Sequence, residues 1–143
     1  MTGNAHQFQR AMPVLPISDM DRSLAFYKDK LGFSAATWGE PSTFAILQRG
    51  TVTLALAVVA TEQIVRTGVW SAYLYVADAD EVHAELMAHS VAISGPPQTR
   101  FYGCRDFTID DPDGHGIGIG QVLDPGPLGP GLSDRVGRDG NAR

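Results

Sequence analysis

The pattern that most constrains the fold of this chain is an internal repeat. In each copy a short apolar run leads into an acidic cluster, and an apolar stripe with helical spacing follows. Equivalent positions are separated by one constant offset along the chain: Asp19 and Asp78, Asp21 and Asp80, Ala25 and Ala84. A repeat of this length indicates two copies of one supersecondary unit, neither of which buries its sheet face alone. We therefore expect two related modules.

The first copy reads as a strand, a helix and further strands. The run VLPI, residues 14–17, is a strand candidate, and Ser18 or Asp19 can cap the first turn of a helix. Two later strand candidates, TFAILQ and TVTLALAVV, flank a tight turn at Arg49 and Gly50. The helix is predicted from a stripe at spacings of 4, 3 and 4 that comprises Met20, Leu24, Tyr27 and Leu31.

The second copy follows the same order. WSAYLYV is a strand candidate, and strict alternation puts Trp70, Ala72, Leu74 and Val76 on one face. DADE opens a helix with capping-box spacing. A short strand near Val91–Ile93, a turn at GPP, and the strands CRDFTI and HGIGIGQV complete the copy. Each unit therefore reads β-α-β-β-β, and the predicted class is α+β.

These patterns also set the expected boundaries. Residues 1–10 are read as an N-terminal arm, 11–60 as the first module, 61–68 as a linker and 69–123 as the second module. Residues 124–143 are rich in Gly and Pro without apolar periodicity, and we interpret them as a flexible tail.

Composition limits the class of function. The net charge of −5 argues against nucleic acid as a partner, because binding to the phosphate backbone needs clustered Lys and Arg. No apolar run is long enough to span a membrane, and the N-terminus has no apolar signal core. The single Cys104 excludes an internal disulfide and is read as a buried or half-buried, inert thiol. We expect a cytoplasmic protein.

Two segments carry a resemblance to a known family. VLPISDMDRSLAFYKDKLGF at the start and FYGCRDFTIDDPDGHGIGIGQ at the end, together with the paired β-α-β-β-β pattern, resemble the vicinal oxygen chelate superfamily. That group includes glyoxalase I, extradiol dioxygenases, fosfomycin-resistance enzymes and the bleomycin resistance protein. The likeness is greatest to the bleomycin-resistance-type branch, which has antibiotic-binding members. It implies two curled mixed sheets around a ligand cleft, completed across a homodimer.

The resemblance also implies where a metal would bind. Metal-using members take His and Glu ligands from inward-facing strand positions, which fall here near Met12 and Ser71, on Leu54 and Leu56, and at Gly118. None of these residues suits a divalent cation. We therefore predict no metal and no other cofactor. The four histidines build no alternative site: His6, His83 and His89 are read as solvated, and His115 lies beside a turn.

The acidic stretch DDPDGHG is interpreted as a turn. Asp111, Pro112, Asp113 and Gly114 have turn chemistry, whereas an EF-hand loop would need a glutamate where Val122 stands. No G-x-S-x-G elbow, P-loop or dinucleotide-binding loop is present in the sequence.

Aromatic residues are the remaining candidates for function. Stacking on planar ligand groups is their physical use, although the same rings can simply fill a core. Glu40 and Glu62 can attract a cation at longer range or be ordinary surface charges. Arg105 can orient a ligand or pair with Asp106 or Asp110. The candidate ligand-binding residues are Trp38, Phe44, Trp70, Phe101, Tyr102 and Arg105, and no residue is predicted to be catalytic.

The sequence therefore predicts a metal-free homodimer that binds and sequesters a planar or cationic, antibiotic-like small molecule. Its partners would be that ligand and a second copy of itself. The alternatives are a metal-dependent lyase, isomerase or dioxygenase of the same fold, and a structural or regulatory dimer whose cleft is vestigial.

Overall fold

The structure is a computed structural model that describes residues 5–124. The first module contains β1 (Val14–Ile17), α1 (Met20–Leu24, continued by a π-helical segment over Ala25–Lys30), β2 (Ser34–Trp38), β3 (Phe44–Arg49) and β4 (Val52–Val58). The second contains β5 (Trp70–Tyr75), α2 (Ala79–Ala88), β6 (Gln98–Thr99), β7 (Cys104–Asp110) and β8 (Gly116–Val122). Short 3-10 turns lie at Ala5–Gln7 and Thr61–Gln63.

Each module forms one four-stranded mixed sheet. The first, which we call the N sheet, has the strand order β1-β4-β3-β2, and the second, the C sheet, has the order β5-β8-β7-β6. In both, the strand before the helix pairs parallel with the last strand of the module, and the remaining neighbours are antiparallel. The predicted α+β class and the two β-α-β-β-β units are confirmed.

The two helices begin in the same way. The Asp19 carboxylate accepts a hydrogen bond from the Arg22 backbone N–H at 3.0 Å, and the Asp78 carboxylate accepts one from Glu81 N–H at 3.0 Å. Both cap residues have nearly identical extended backbone angles. An acceptor at this position satisfies a helix N–H that has no partner within the helix. Of the two predicted caps for α1, Asp19 is therefore the one used.

One face of each sheet packs onto its helix in a shared core. Leu15, Leu47 and Leu56 of the N sheet and Phe107 and Ile117 of the C sheet belong to the same buried cluster. Because strand residues alternate between faces, their neighbours point to the opposite side. We call that opposite side of each sheet its open face.

The acidic turn before β8 joins the two modules. Asp113 accepts hydrogen bonds from the Ser18 hydroxyl at 2.6 Å and from Arg22 Nη2 at 2.9 Å, both at the start of α1. The Tyr27 hydroxyl donates to Asp111 Oδ2 at 2.8 Å in the buried interior. Burial, followed by the Asp111 carboxylate, raises the pKa of Tyr27 well above its ordinary value. This stretch is thus a turn, as predicted, that also connects the modules.

The backbone of the turn has the expected geometry. Gly114 donates to the Asp111 carbonyl at 2.9 Å and has a φ of 87°, which glycine adopts without strain. Asp111 Oδ1 accepts from the backbone N–H groups of Asp113 and His115. His115 is buried, and its Nε2 lies 2.6 Å from the Pro16 carbonyl oxygen of β1. His115 therefore also contacts the first module.

The faces of β5 differ from the sequence prediction. The pairing of β5 with β8 shifts register between Trp70 and Ala72, which places a bulge at Ser71. A bulge inserts one residue and turns the side chain before it to the other face. Trp70 consequently packs against Tyr73, with ring centroids 4.6 Å apart, and not beside Ala72 and Leu74. The prediction that Trp70 shares a face with Ala72 is wrong.

Other expectations are corrected or fall outside the described residues. The strand expected near Val91–Ile93 is reduced to one bridge between Ile93 and Ile109, and the edge strand is β6. His83 is half-buried against Phe107, with ring centroids 5.0 Å apart, and is not a solvated residue.

Within residues 5–124 no helix is long and apolar enough to cross a membrane. The predicted tail lies outside the described residues, except for Asp124. The module boundaries remain predictions.

Candidate aromatic binding site

A continuous group of rings covers the open face of the C sheet. Trp70 contacts Tyr73 at 4.6 Å and Tyr102 at 6.3 Å between ring centroids. Tyr75 lies 5.1 Å from Tyr73, and Phe101 lies 5.0 Å from Tyr102. We call these five residues the aromatic cluster. Trp70 is 43% exposed, Phe101 44% and Tyr75 50%, so the cluster presents ring surface to the outside of the chain.

Alternating glycines in β8 make room for this cluster. Gly118 and Gly120 point to the open face, whereas the intervening Ile119 is buried in the core. A Cβ atom on Gly118 would collide with Cδ1 of Tyr73 and lie 3.0 Å from Cε2 of Trp70. A Cβ atom on Gly120 would collide with the Tyr73 hydroxyl. The rings can therefore lie across β8 only because these positions have no side chain.

A buried carboxylate holds two members of the cluster. Asp106 is 1% exposed, and its Oδ2 accepts hydrogen bonds from the Tyr73 hydroxyl at 2.9 Å and from the Tyr102 hydroxyl. Arg100 Nε donates to Oδ1 at 2.7 Å and supplies the compensating charge. A buried carboxylate is tolerated when it is paired and fully hydrogen-bonded in this way.

The same contacts perturb the acidities of the tyrosines. Burial, and then hydrogen bonds that include the one to Asp106, raise the pKa of Tyr73. Burial and the Asp106 carboxylate likewise raise the pKa of Tyr102. Both phenols are therefore protonated at neutral pH and act as hydrogen-bond donors.

Trp38 and Phe44 lie on the other sheet. They are cross-strand partners at the end of the N sheet, and their ring centroids are 6.0 Å apart. Trp38 is half-exposed at the last position of β2, immediately before Gly39. Of the predicted aromatic residues, the structure thus brings together Trp70, Phe101 and Tyr102 on one sheet and Trp38 and Phe44 on the other.

Arg105 lies on the helix side of the C sheet. It alternates with Asp106 along β7, and its guanidinium forms two hydrogen bonds to the Asp80 carboxylate of α2, at 2.8 and 2.9 Å. The sequence offered Asp106 or Asp110 as its partner, and both pairings are wrong because Arg105 faces the opposite side of the sheet. The ligand-binding roles predicted from the sequence for Arg105 and for Trp38, Phe44, Trp70, Phe101 and Tyr102 remain predictions.

A cleft of about 590 Å³ opens beside Trp70. The loop before β5 forms one wall and contributes Arg66, while β7 contributes Thr108 and Asp110 to the other. Trp70 Nε1 donates to the Thr108 hydroxyl at 3.0 Å, which fixes the indole at the cleft wall. The volume lies within the range of small-molecule pockets.

Glu40 and Glu62, the two acidic residues considered for attracting a cation, are exposed.

The positions implied for a metal do not provide suitable ligands. Leu54 and Leu56 were expected to face the ligand cleft. They face the buried core instead, so that expectation is wrong. The space at Gly118 is taken by the rings of Tyr73 and Trp70, and Ser71 Oγ lies 3.3 Å from His115 Nδ1. In the part of the chain that the structure describes, no group of three or more His, Cys, Asp or Glu residues is arranged to hold a metal ion. The residues present therefore do not fit the metal site of the metal-using relatives.

Sequence reasoning missed the residues that support the cluster. Tyr73 and Tyr75 are not among the candidates, because strict alternation assigns them to the face opposite Trp70. Asp106 is considered only as an ion-pair partner of Arg105. The alternating glycines of GIGIG were the available signal, since glycine inside a strand often marks the close approach of another group. Cys104 was correctly expected to be buried.

The fold and the site together define a class: paired β-α-β-β-β modules that carry exposed aromatic rings on an open sheet face. The profile of the glyoxalase/bleomycin resistance protein/dioxygenase superfamily matches residues 7–119. The chain belongs to this superfamily, and the resemblance seen in the sequence is confirmed.

Several solved structures share the fold of this chain. The bleomycin-binding protein of bleomycin-producing Streptomyces verticillus, in complex with copper(II)-bleomycin, is 26% identical with a TM-score of 0.62, covering 78% of this chain and 94% of that one. A bleomycin resistance determinant encoded on the transposon Tn5 is 24% identical with a TM-score of 0.65, covering 80% and 98%. A virulence protein from Salmonella typhimurium is 26% identical with a TM-score of 0.61, covering 81% and 98%. A search of curated protein sequences finds no match.

Proposed function

We propose that this protein binds a planar, antibiotic-like small molecule and sequesters it as a homodimer, without making or breaking a bond. The observation that carries the proposal is the aromatic cluster, whose rings are exposed on a sheet face that residues 5–124, the described part of the chain, leave uncovered. Ring faces of this kind bind planar groups by stacking and attract cationic groups through their π electrons. The similarity to a bleomycin-binding protein points the same way.

A second copy of the chain is the occupant that best accounts for the open faces. Val14 and Trp38 on the N sheet and Trp70 and Tyr75 on the C sheet are all large apolar residues that are about half exposed. On the C sheet, Trp70 and Tyr75 are linked through Tyr73 into contiguous exposed apolar surface, which marks an interaction site. Pairing the N sheet of one copy with the C sheet of the other would enclose both open faces and leave a cleft between them.

The two tryptophans give a direct test of binding. The chain has one on each sheet, Trp38 and Trp70, so Trp38→Phe and Trp70→Phe each leave a single reporter. Titration with bleomycin and a panel of planar aromatic compounds should quench Trp70 emission in the Trp38→Phe variant. A cleft between the two sheets should also quench Trp38 emission in the Trp70→Phe variant. No response in either variant across the panel would contradict the proposal.

The dimer is tested by placing a charge on an open face. Val14→Asp should shift the sedimentation coefficient from dimer toward monomer, because an isolated carboxylate is costly to bury. Met87→Asp is the matched control: Met87 is also more than half exposed but lies on α2, away from both open faces. Equal sedimentation of the two variants would argue against this interface.

Metal analysis of the purified protein separates sequestration from the enzymatic alternative. A lyase, isomerase or dioxygenase of this fold would depend on the metal as a Lewis acid or as a centre for oxygen chemistry. We expect substoichiometric Fe, Mn, Ni and Zn. One bound ion per chain would contradict the proposal.

A further inference from the structure

Asp106 occupies an unusual place on the open face of the C sheet. It is a carboxylate on the side that carries the exposed rings, yet it is 1% exposed. Its cover consists of the groups that donate to it, namely the hydroxyls of Tyr73 and Tyr102 and the Nε of Arg100.

The carboxylate joins three parts of the sheet. Tyr73 lies on β5, Tyr102 lies in the turn before β7, and Asp106 lies on β7, while β8 runs between β5 and β7. The Tyr73 ring therefore crosses β8, through the space left by Gly118 and Gly120. It is fixed at one end by its own backbone and at the other by Asp106. Hydrogen bonds to a charged acceptor are the stronger kind, so this tether limits rotation of both rings.

We infer that Asp106 is a positioning residue of the binding face: by accepting from both tyrosine hydroxyls it fixes the rings against which Trp70 packs. The importance of this role for a ligand rests on the proposed function, whereas the fixing of the rings does not.

The network also defines the chemistry of the surface. The hydroxyls of Tyr73 and Tyr102 both donate to Asp106, and Arg100 balances its charge. These two tyrosines therefore contribute ring faces to the surface and not free O–H donors, and the carboxylate is paired. A ligand that stacks on them through a flat, weakly polar group fits better than one that needs Tyr73 or Tyr102 to donate a hydrogen bond.

Asp106→Asn is the central variant, because it keeps the size and one acceptor oxygen but removes the charge. Spectrophotometric titration of the tyrosines measures the effect without any ligand. Loss of the carboxylate should lower the pKa of two phenols, since its charge and hydrogen bonds contribute to raising them. Asp80→Asn is the matched control: Asp80 also pairs with an arginine, Arg105, but on the helix side of the sheet. Its tyrosine titration should equal that of the wild type.

Tyr102→Phe is a second, milder variant in case Asp106→Asn does not fold. It removes one hydrogen-bond donor and leaves the charged pair of Asp106 and Arg100. It should alter the near-UV circular dichroism of the cluster and the Trp70 emission, measured in the Trp38→Phe background. A folded Asp106→Asn protein with an unchanged tyrosine titration would overturn the inference. So would Tyr102→Phe with unchanged spectra.

Binding supplies the functional measurement. With bleomycin as probe, or 8-anilinonaphthalene-1-sulfonate if bleomycin does not bind, Asp106→Asn should weaken affinity by about tenfold, the loss expected when one strong hydrogen bond no longer orders the wall. Wild-type affinity in a folded Asp106→Asn protein would overturn the positioning role. If the wild type binds neither probe and no compound of the planar panel, the proposed function fails, while the tyrosine titration still decides whether Asp106 fixes the rings.

Discussion

The alternating glycines of β8 allow a paired test of the site architecture. Gly116 and Gly118 lie on the same strand and point to the same face. A Cβ atom on Gly116 would meet only ordinary contacts, 3.7 Å from the Val69 carbonyl oxygen and 3.8 Å from Thr108 Cγ2. A Cβ atom on Gly118 would lie 2.9 Å from Cε1 of Tyr73, besides its collision with Cδ1. The same substitution therefore meets ordinary van der Waals contacts in one case and packed rings in the other.

The expected magnitudes follow from these contacts. Gly116→Ala should stabilise the protein by about 0.4–1 kcal/mol, because alanine restricts the unfolded chain. Gly118→Ala should destabilise it by about 1–3 kcal/mol, the usual cost of overpacking. At about 2–4 °C per kcal/mol, the melting temperatures should differ by several degrees.

Thermal unfolding should be followed by far-UV circular dichroism together with Trp70 emission in the Trp38→Phe background. Displacement of the rings should change Trp70 emission in the Gly118→Ala protein before any unfolding, and should leave it unchanged in Gly116→Ala. If both variants have the same stability and the same emission, Tyr73 and Trp70 do not lie across β8.

Three further outcomes follow from the hydrogen bonds and ion pairs. Asp113→Ala should lower the free energy of unfolding in urea by about 1–2 kcal/mol, because two donors of the first module lose their acceptor. An unchanged midpoint would mean that the bonds from Ser18 and Arg22 to Asp113 do not stabilise the junction of the modules. The pKa of Tyr73 is raised in the folded protein, so the unfolded phenol ionises first as the pH rises. The stability that Tyr73 contributes should therefore be full below about pH 10 and fall above it. Tyr73→Phe should make this alkaline decline in unfolding free energy shallower, and an equal slope would contradict the assignment. Arg49 lowers the pKa of Glu85, so the ion pair should stabilise the protein at pH values above the unfolded pKa near 4.5. This stabilisation should be lost as the pH falls through the lower folded pKa. Because the pair is partly exposed, Glu85→Gln should lower the free energy of unfolding by at most about 0.5 kcal/mol at pH 7 and should not change it at pH 2.

Local sequence rules predicted the frame of this fold. The strand VLPI, the cap Asp19 and the apolar stripe from Met20 to Leu31 depend on short-range spacing, and the structure has each of them, with a π-helical segment from Ala25. The second copy repeats the same rules, and Asp78 caps α2 as Asp19 caps α1. Such features are visible in a sequence because the interacting groups lie within one helical turn of each other.

The details of the site depended on contacts between distant residues. A single extra residue at Ser71 moved Trp70 to the open face, and no local pattern marks a bulge in WSAYLYV. Asp106 looked like a partner for Arg105 because the two are adjacent in sequence, but adjacent strand residues face opposite sides. The turn at Asp113 was recognised, whereas its bonds to Ser18 and Arg22 join residues that are far apart in the chain.

The central claim is that the open faces enclose a stacked, planar ligand between two copies of the chain. A crystal structure of the protein with bleomycin, with anomalous scattering recorded for transition metals, tests it most directly. The account predicts a flat ligand group against Trp70, with the C sheet of one copy facing the N sheet of the other. It would be contradicted by a ligand bound away from both open faces, or by a metal ion that side chains of the cleft coordinate.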